Sequence, residues 1–334
     1  MTSTEMAIPG RTCPVAYRYG SLALAQCPAR HVETLYVICG LYGNLPALAA
    51  IEAMAAKVPG PVTLCFNGVF NWFNVDDEGF VATNLAVLAY DAIQGNTEAE
   101  LLTPEDDAGC GCSYRANVDA GTVARSNVIH VHLKTTARRY PKILDRLRAL
   151  PLLRHYRVGD CVVGVVHGNA ESLAGWRFAV DALDDPGNRP WLAAAFARAA
   201  VDVLASTHTC LPALRSIESR GLRQAVINNG AAGMPNFAGE RSGLITRIGL
   251  SPGPHAANYG EQMGRIHLDA LPVMYDHPAG EKRFVAKWPA GSPAHLSYYH
   301  QIDHGPSFDI GGQDHLREYE HDSSCSERNR SLRV

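Results

Sequence analysis

Residues 35–58 read LYVICGLYGNLPALAAIEAMAAKV, and this stretch decides the fold class. Its first five residues are apolar and include the strand-forming types Tyr, Val and Ile, which indicates a buried strand. From Leu45 to Val58 the apolar residues recur at helical spacing, and Pro59-Gly60-Pro61 ends that segment. A strand joined to a helix by the short loop Gly40–Asn44 is typical of a layered α/β protein.

The same alternation continues along the chain. Val62–Phe66 predicts a second strand, Gly79–Tyr90 a second helix, and Ala92–Gln94 leads into a Gly-Asn turn. Asn127–Leu150 predicts a helix that Pro141 kinks or splits. The later segments read as a strand at Asp160–Val166, a helix that starts at Trp191 and runs into a strand near 201–205, strands at Gln224–Ile227 and Leu244–Ile248, and a short helix at Phe284–Trp288.

Composition sets the broad class of the protein. The chain has 334 residues, of which 46% are hydrophobic and 19% are charged, and its net charge is -3. A large core is therefore possible, whereas neither nucleic acid nor an anionic membrane surface is expected as a partner. The first thirty residues hold no apolar run of signal-peptide length, and no stretch reaches the ~20 apolar residues of a membrane span. These features predict a cytoplasmic protein.

The expected location determines how the nine cysteines are interpreted. In a reducing compartment we expect free thiols or metal ligands rather than a disulfide framework. They are Cys13, Cys27, Cys39, Cys65, Cys110, Cys112, Cys161, Cys210 and Cys325.

Polar and glycine-rich signatures follow the predicted strands, at the strand ends where open α/β sheets bind ligands. In chain order they are Gly40-Leu41-Tyr42-Gly43-Asn44, Asn67-Gly68-Val69, Gly95-Asn96-Thr97-Glu98, His167-Gly168-Asn169, Thr207-His208-Thr209-Cys210-Leu211-Pro212 and Asn229-Gly230-Ala231-Ala232-Gly233-Met234-Pro235.

This series resembles the motifs of the calcineurin-like metallophosphoesterase family. Those motifs are D-x-H-G-N, G-D, G-N-H-[DE], a strand-ending His and G-H-T-H-x-P, followed by an N-P-G-S-type turn. Roughly thirty residues separate each of the first three signatures, and the resemblance covers about residues 35–250. It implies an α/β fold of the four-layer αββα sandwich type, with a cap insertion, and a metal-dependent phosphoesterase chemistry.

The metal-ligand positions of that family are only partly kept. One metal is held in the family by the Asp and His of D-x-H, the bridging Asp of G-D and the last His of G-H-T-H. Those positions hold Gly40, Tyr42, Val69 and Cys210 here, so the first metal site is lost as the family builds it.

The second site of the family keeps more of its ligands, since Asn96, His167 and His208 match their motif positions. Two imidazoles and an amide oxygen are enough for a single open-site metal. Their net charge is zero, and Cys210, two residues beyond His208, would share its face if both lay on a strand. A thiolate there would favour Zn or Fe over Mg or Mn.

The catalytic positions also depart from the pattern. The family's general acid, the third residue of G-N-H, is replaced by Thr97, whose hydroxyl does not donate a proton near neutral pH. Glu98 matches the acidic position and could act itself if burial raised its pKa. The catalytic candidates are therefore Glu98, Thr97 and Cys210.

A loop rich in acidic residues and glycine, at about residues 99–126, reads as a cap over the pocket and contains Cys110-Gly111-Cys112. With Cys39 and Cys210 these thiols could form a soft-metal site, and the alternative is a tight turn with unrelated thiols. The residues expected to contact substrate are Asn44, Tyr42, Asn67, Cys110 and Cys112.

Three functions remain open at this point. The first is an atypical hydrolase that cleaves a small anionic or phosphorylated substrate with one divalent metal or a thiol-assisted metal. The second is a catalytically inactive module that binds a ligand or a partner, and the third is thiol or soft-metal chemistry at the cysteines. We expect an N-terminal extension at 1–34, a core at 35–250, a C-terminal extension packed on it at 251–305, and a flexible tail at 306–334.

Overall fold

The computed structural model describes residues 8–104, 107–219 and 221–309, and within them the strands form two six-stranded sheets. The strands are β1 Ala29–Val32, β2 Thr34–Ile38, β3 Val62–Phe66, β4 Asp91–Ala92, β5 Leu153–Val158, β6 Cys161–Val166, β7 Val203–Ser206, β8 Ala213–Ser219, β9 Leu222–Asn228, β10 Gly243–Gly249, β11 Tyr259–Met263 and β12 Ile266–Val273. The helices are α1 Leu22–Gln26, α2 Leu45–Ala55, α3 Asp77–Val87, α4 Asn96–Leu101, α5 Ala120–Ala137, α6 Pro141–Arg148, α7 Val180–Asp184, α8 Arg189–Ala199, α9 His277–Lys287 and α10 Pro293–His304.

The strand order places the ends of the parallel strands together. The first sheet has the order β1-β5-β6-β7-β9-β8, and β6, β7 and β9 run parallel. The second sheet has the order β11-β12-β10-β2-β3-β4, and β2, β3 and β4 run parallel. In each sheet the carboxyl ends of these three strands therefore meet at one edge, and the polar signatures follow those ends.

The two sheets pack face to face on apolar side chains. Val37 and Ile248 of the second sheet share one buried cluster with Val163, Ala205 and Ile227 of the first. On the outer face of the second sheet lie α2, α3, α5 and α6, and on the outer face of the first lie α1, α7 and α8. The predicted four-layer αββα sandwich is confirmed.

Most of the predicted elements before residue 250 are present. The strand Val62–Phe66 has the predicted bounds, and Pro141 splits the long helical segment into α5 and α6. Proline explains the split, because it lacks the N–H that a helix interior needs but suits a first turn. The cap region differs from the expected plain loop, since α4 covers its first residues and α5 begins at Ala120.

The C-terminal region is more regular than the sequence indicated. Strands β11 and β12 extend the second sheet beyond β10, and the predicted short helix at Phe284–Trp288 belongs to the longer α9. Helix α10 was not predicted. The domain boundaries stay a prediction, and the proposed tail lies outside the described residues from position 310 onward.

None of the described helices is long and apolar enough to cross a membrane. The cytoplasmic location stays a prediction.

Candidate functional site

Three polar side chains from both sheets converge where the parallel strands end. Asn96 follows β4, His167 follows β6, and His208 follows β7. His167 Nε2 lies 2.8 Å from Asn96 Oδ1 and 3.2 Å from His208 Nδ1. The exposed fractions of these residues are only 3%, 0% and 7%, respectively, so bulk water does not separate them. The structure brings together three of the four candidate metal ligands, Asn96, His167 and His208, and the fourth, Cys210, is considered below.

The outer hydrogen bonds of the three side chains determine which atoms face inward. His167 Nδ1 lies 2.7 Å from the carbonyl oxygen of Asn67, and His208 Nε2 lies 3.0 Å from that of Cys112. Since a carbonyl only accepts, both of these nitrogens carry the proton. Asn96 Nδ2 donates to the carbonyl of Cys110 at 2.9 Å. Consequently Asn96 Oδ1 and His208 Nδ1 each present a lone pair towards His167 Nε2, which is itself unprotonated.

No proton is available to relieve this arrangement near neutral pH. Burial, reinforced by the neighbouring His208, lowers the pKa of His167 to about 3, and burial lowers the pKa of His208 to about 4. Ligand atoms ~2.1 Å from a metal and at about 90–110° to each other are roughly 3.0–3.4 Å apart. The observed separations of 2.8 and 3.2 Å are close to that spacing. The donor set therefore fits a single divalent metal.

Cys210 does not join this trio. Strand β7 ends at Ser206, so the alternation of a strand does not extend to Cys210, whose φ of 61° reverses the chain. This corrects the expectation that Cys210 shares a face with His208. Its sulfur lies 3.3 Å from the Tyr42 hydroxyl and 3.4 Å from the His208 carbonyl. Throughout the described parts of the chain, no group of three His, Cys, Asp or Glu residues could hold a metal, so the candidate site depends on the amide of Asn96.

Aromatic packing occupies the place of the lost first metal site. A side chain at Gly40 would have its Cβ 2.8 Å from Cε2 of the Tyr42 ring. Tyr42 stacks on Phe73 with ring centroids 5.4 Å apart, and Phe73 packs edge-on against Phe284 and Tyr298. These rings belong to one buried cluster or pack against it. The surroundings of Gly40 and Tyr42 are therefore largely apolar.

The backbone of the lost site remains unusual although its side chains have changed. Tyr42, Val69 and Cys210 have φ values of 54°, 54° and 61°. This left-handed conformation costs a non-glycine residue about 1–3 kcal/mol and is least suited to a β-branched residue such as Val69. By the sequence resemblance, all three are positions where the family places metal ligands.

Glu98 is fully buried and serves as a brace between two loops. One carboxylate oxygen accepts the N–H of Val69 at 2.9 Å and of Gly95 at 3.1 Å, and the other accepts that of Phe70 at 2.9 Å. Burial raises the pKa of Glu98 while these three donors oppose the rise. Its neighbour Thr97 is also buried, and its carbonyl lies 3.3 Å from His130 Nε2.

Asn44 and Asn67, two of the residues predicted to touch substrate, hold the loops in place. The Asn44 side chain caps α2 by accepting from Ala47 N at 3.1 Å, and it donates to the Gly233 carbonyl at 2.9 Å. The Asn67 side chain donates to the Val166 carbonyl at 3.1 Å and so joins the two sheets.

The prediction for the cysteines is corrected in part. Cys110 and Cys112 form a disulfide, because Gly111 between them permits a tight turn that brings the two sulfurs together, whereas free thiols or ligands were expected. The other cysteines within the described residues are free, and Cys325 lies outside those residues. The Cys39 thiol donates to the Gly68 carbonyl at 2.8 Å, which gives it a structural partner.

Trp176 is a site residue that the sequence did not single out. Its ring lies 5.3 Å from that of His208, and its Nε1 donates to the Cys112 carbonyl at 3.1 Å. The ring centroids of Tyr114 and Trp176 are 6.1 Å apart. The only signal was the position of Trp176 shortly after the His167-Gly168-Asn169 signature, and no residue spacing connects it to His208, 32 positions further along the chain.

Comparison with known proteins supports the fold. No protein-family model and no curated protein matches the sequence. A metallophosphoesterase from Sphaerobacter thermophilus is similar in structure with a TM-score of 0.51 and 17% identity, over 82% of this chain and 100% of that one. The hypothetical protein PH1004 from Pyrococcus horikoshii OT3 is similar with a TM-score of 0.54 and 14% identity, over 82% of this chain and 99% of that one. The chain therefore has the fold of the calcineurin-like metallophosphoesterases.

Proposed function

We propose that the chain is a hydrolase of phosphoester-like substrates that uses a single divalent metal held by Asn96, His167 and His208. The observation that supports this proposal is the placement of Asn96 Oδ1 and His208 Nδ1 at 2.8 and 3.2 Å, respectively, from His167 Nε2. Two imidazoles favour Zn or Fe over Mg or Mn. When bound, such a metal polarises a phosphoryl oxygen and lowers the pKa of a water molecule.

The charge of the ligand set supports an anionic substrate. All three ligand side chains are neutral, because burial keeps both histidines unprotonated and Asn96 has no charge. A divalent ion in this site keeps its two positive charges, which an anion can balance. We therefore propose a small anionic or phosphorylated substrate, although the chain as a whole has a net charge of -3.

The position of the family's general acid limits the leaving group. Thr97 stands there, and Glu98 beside it has both oxygens engaged by backbone N–H groups. Without a proton donor at this position, a leaving group that departs as a stable anion is favoured over an alkoxide. We propose phosphate esters of acidic alcohols, such as phenols, as the substrate class.

Elemental analysis and hydrolysis assays test this proposal. We expect about one equivalent of Zn or Fe in freshly purified protein. Nitrophenyl phosphates should be hydrolysed at least about 100-fold faster than alkyl phosphates, since general acid catalysis contributes on the order of 10²–10⁴-fold. His167→Ala should lose both the metal and the activity, whereas His31→Ala, an exposed histidine on the edge strand β1, should keep both. Protein that holds no stoichiometric metal, with a His167→Ala variant as active as the wild type, would overturn the proposal.

A ligand-binding module without turnover is the second candidate. It is favoured by the aromatic packing at the lost first metal site and by Thr97 at the general-acid position. This alternative predicts that inorganic phosphate raises the melting temperature of the metal-loaded protein while no tested ester is converted to product.

A further inference from the structure

The loop Cys110–Cys112 contacts two of the three candidate metal ligands through its backbone. The Cys110 carbonyl accepts from Asn96 Nδ2 at 2.9 Å, and the Cys112 carbonyl accepts from His208 Nε2 at 3.0 Å. Both bonds use the atom of each ligand that faces away from the trio. The two carbonyls therefore decide which oxygen or nitrogen of Asn96 and His208 is presented to a metal.

Besides the bond from Trp176 Nε1 to the Cys112 carbonyl, three features favour the conformation of this loop. Gly111 has a φ of +64°, and a Cβ there would lie 2.7 Å from Cγ of Glu100 and against the Tyr17 hydroxyl. Asn127 of α5 accepts from the Cys110 N–H at 3.0 Å. The disulfide between Cys110 and Cys112 closes the loop. Of these three, the disulfide is the one that a change in redox conditions can remove.

We propose that this loop is a positioning element for the metal ligands, and that its disulfide makes metal affinity depend on the redox state. The inference rests on the proposed function, because it requires a metal on Asn96 and His208. Two-electron reduction breaks the S–S bond and leaves each sulfur with a proton. With a phosphine reductant, the phosphine is oxidised to its oxide by taking oxygen from water, whose two hydrogens go to the thiols.

Opening the loop should weaken metal binding rather than abolish it. The carbonyls of Cys110 and Cys112 then sample other positions, so Asn96 can rotate its amide and His208 can change its tautomer. Loss of such outer-shell partners typically lowers metal affinity by about 10–100-fold. The third ligand, His167, should keep its orientation because its partner is the Asn67 carbonyl, on a different loop.

Titration of the full chain with Co(II), whose visible absorption reports ligand number and type, tests the proposal. Metal-free protein is compared as purified and after anaerobic reduction by a phosphine that is then removed. We expect reduction to add two titratable thiols and to weaken Co(II) binding by about 10–100-fold. No sulfur-to-cobalt charge-transfer band should appear in either state.

Variants separate this effect from reduction elsewhere in the chain. The double variant Cys110→Ser/Cys112→Ser should bind Co(II) as weakly as the reduced wild type and should not respond to the phosphine. Cys27→Ser, which removes a free thiol between α1 and β1, should keep the full redox response. Far-ultraviolet circular dichroism of each protein verifies that the fold is intact. Reduction of the wild type supplies the same comparison if the double variant does not fold.

Several results would overturn the proposal. They are equal affinity in both redox states, no gain of thiols on reduction, or tighter binding with a charge-transfer band, which would make a cysteine a ligand instead. Equal Co(II) affinity in the oxidised and the reduced protein would overturn this inference but would leave the proposed function untouched. Failure to bind Co(II) in either state removes the proposed function as well.

Discussion

The two halves of the candidate site share a backbone design but differ in chemistry. Asn96, His167 and His208 keep polar atoms that face one another, whereas Gly40 and Tyr42 stand at the family's first ligand positions in an apolar, ring-filled space. Both halves lie on loops that follow parallel strands of the same two sheets. One half therefore presents polar atoms, while the other packs in a buried apolar cluster.

This difference shows that loop shape and ligand identity are set separately. The N–H groups of Val69 and Phe70 are held by Glu98, and the Gly40–Asn44 loop is held by the cap that Asn44 provides to α2. Neither hydrogen bond uses the side chain of a ligand position. The conformation of these loops therefore does not depend on those hydrogen bonds having a metal ligand as a partner.

Truncation of Tyr42 should produce the largest change in stability. Tyr42→Ala removes a buried ring and should lower the free energy of unfolding by about 3–5 kcal/mol, the usual cost of deleting a buried aromatic side chain. Tyr42→Phe keeps the ring, loses only the contact with Cys210, and should cost no more than about 1 kcal/mol. Urea unfolding measures both, and a loss below about 1 kcal/mol for Tyr42→Ala would contradict a packing role for this half.

Acid should destabilise the metal-free protein because His167 and His208 bind protons more readily in the unfolded chain than in the folded one. The pKa values of His167 and His208 are about 3 and 4 in the folded chain, compared with 6.5 for an unperturbed histidine. Their contribution is complete above pH 6.5 and is lost as the pH falls toward 4, because the unfolded chain then binds more protons. Each histidine should contribute a slope of about 1.4 kcal/mol per pH unit.

Urea unfolding of the metal-free wild type and of His208→Gln between pH 7.5 and 4.5 tests this slope. Carboxylates affect both proteins alike, so the difference between the two slopes isolates one histidine. Identical slopes would show that His208 is not held neutral in the folded protein.

A carboxylate at position 69, where the family has its bridging Asp, should produce the smallest change in free energy of the three. Val69→Asp adds a negative charge at the family's bridging position and should tighten metal binding about tenfold, or about 1.4 kcal/mol, with the larger gain for Mn(II). Val69→Asn has a similar shape and also tolerates the left-handed backbone, but it adds no charge. Calorimetric titration compares the metal affinities of the two variants. An equal gain in affinity in both would show that relief of backbone strain, and not the added charge, is the cause.

The fold was largely predictable because the apolar periodicity of the individual segments agrees with the layered arrangement of the strands and helices. Val62–Phe66 and the start of α2 at Leu45 follow from apolar periodicity and from Pro59 and Pro61. One missed strand is β5 (LRHYRV), whose half-buried Arg and His residues lie between buried Leu, Tyr and Val residues, so the strand lacks an apolar run. Edge strands and terminal helices depend on the surface that they cover, which local sequence does not report.

The sequence by itself determined many of the strands and helices before residue 250, and its resemblance to the family named Asn96, His167 and His208, with Cys210, as candidate metal ligands. Only the tertiary structure decided which of their atoms face one another, since that depends on the carbonyls of Asn67, Cys110 and Cys112 from distant parts of the chain. It also placed Cys210 against Tyr42 rather than beside the histidines. Spacing along a chain fixes which strand ends a residue follows, but hydrogen bonds between loops fix the direction in which its lone pairs point.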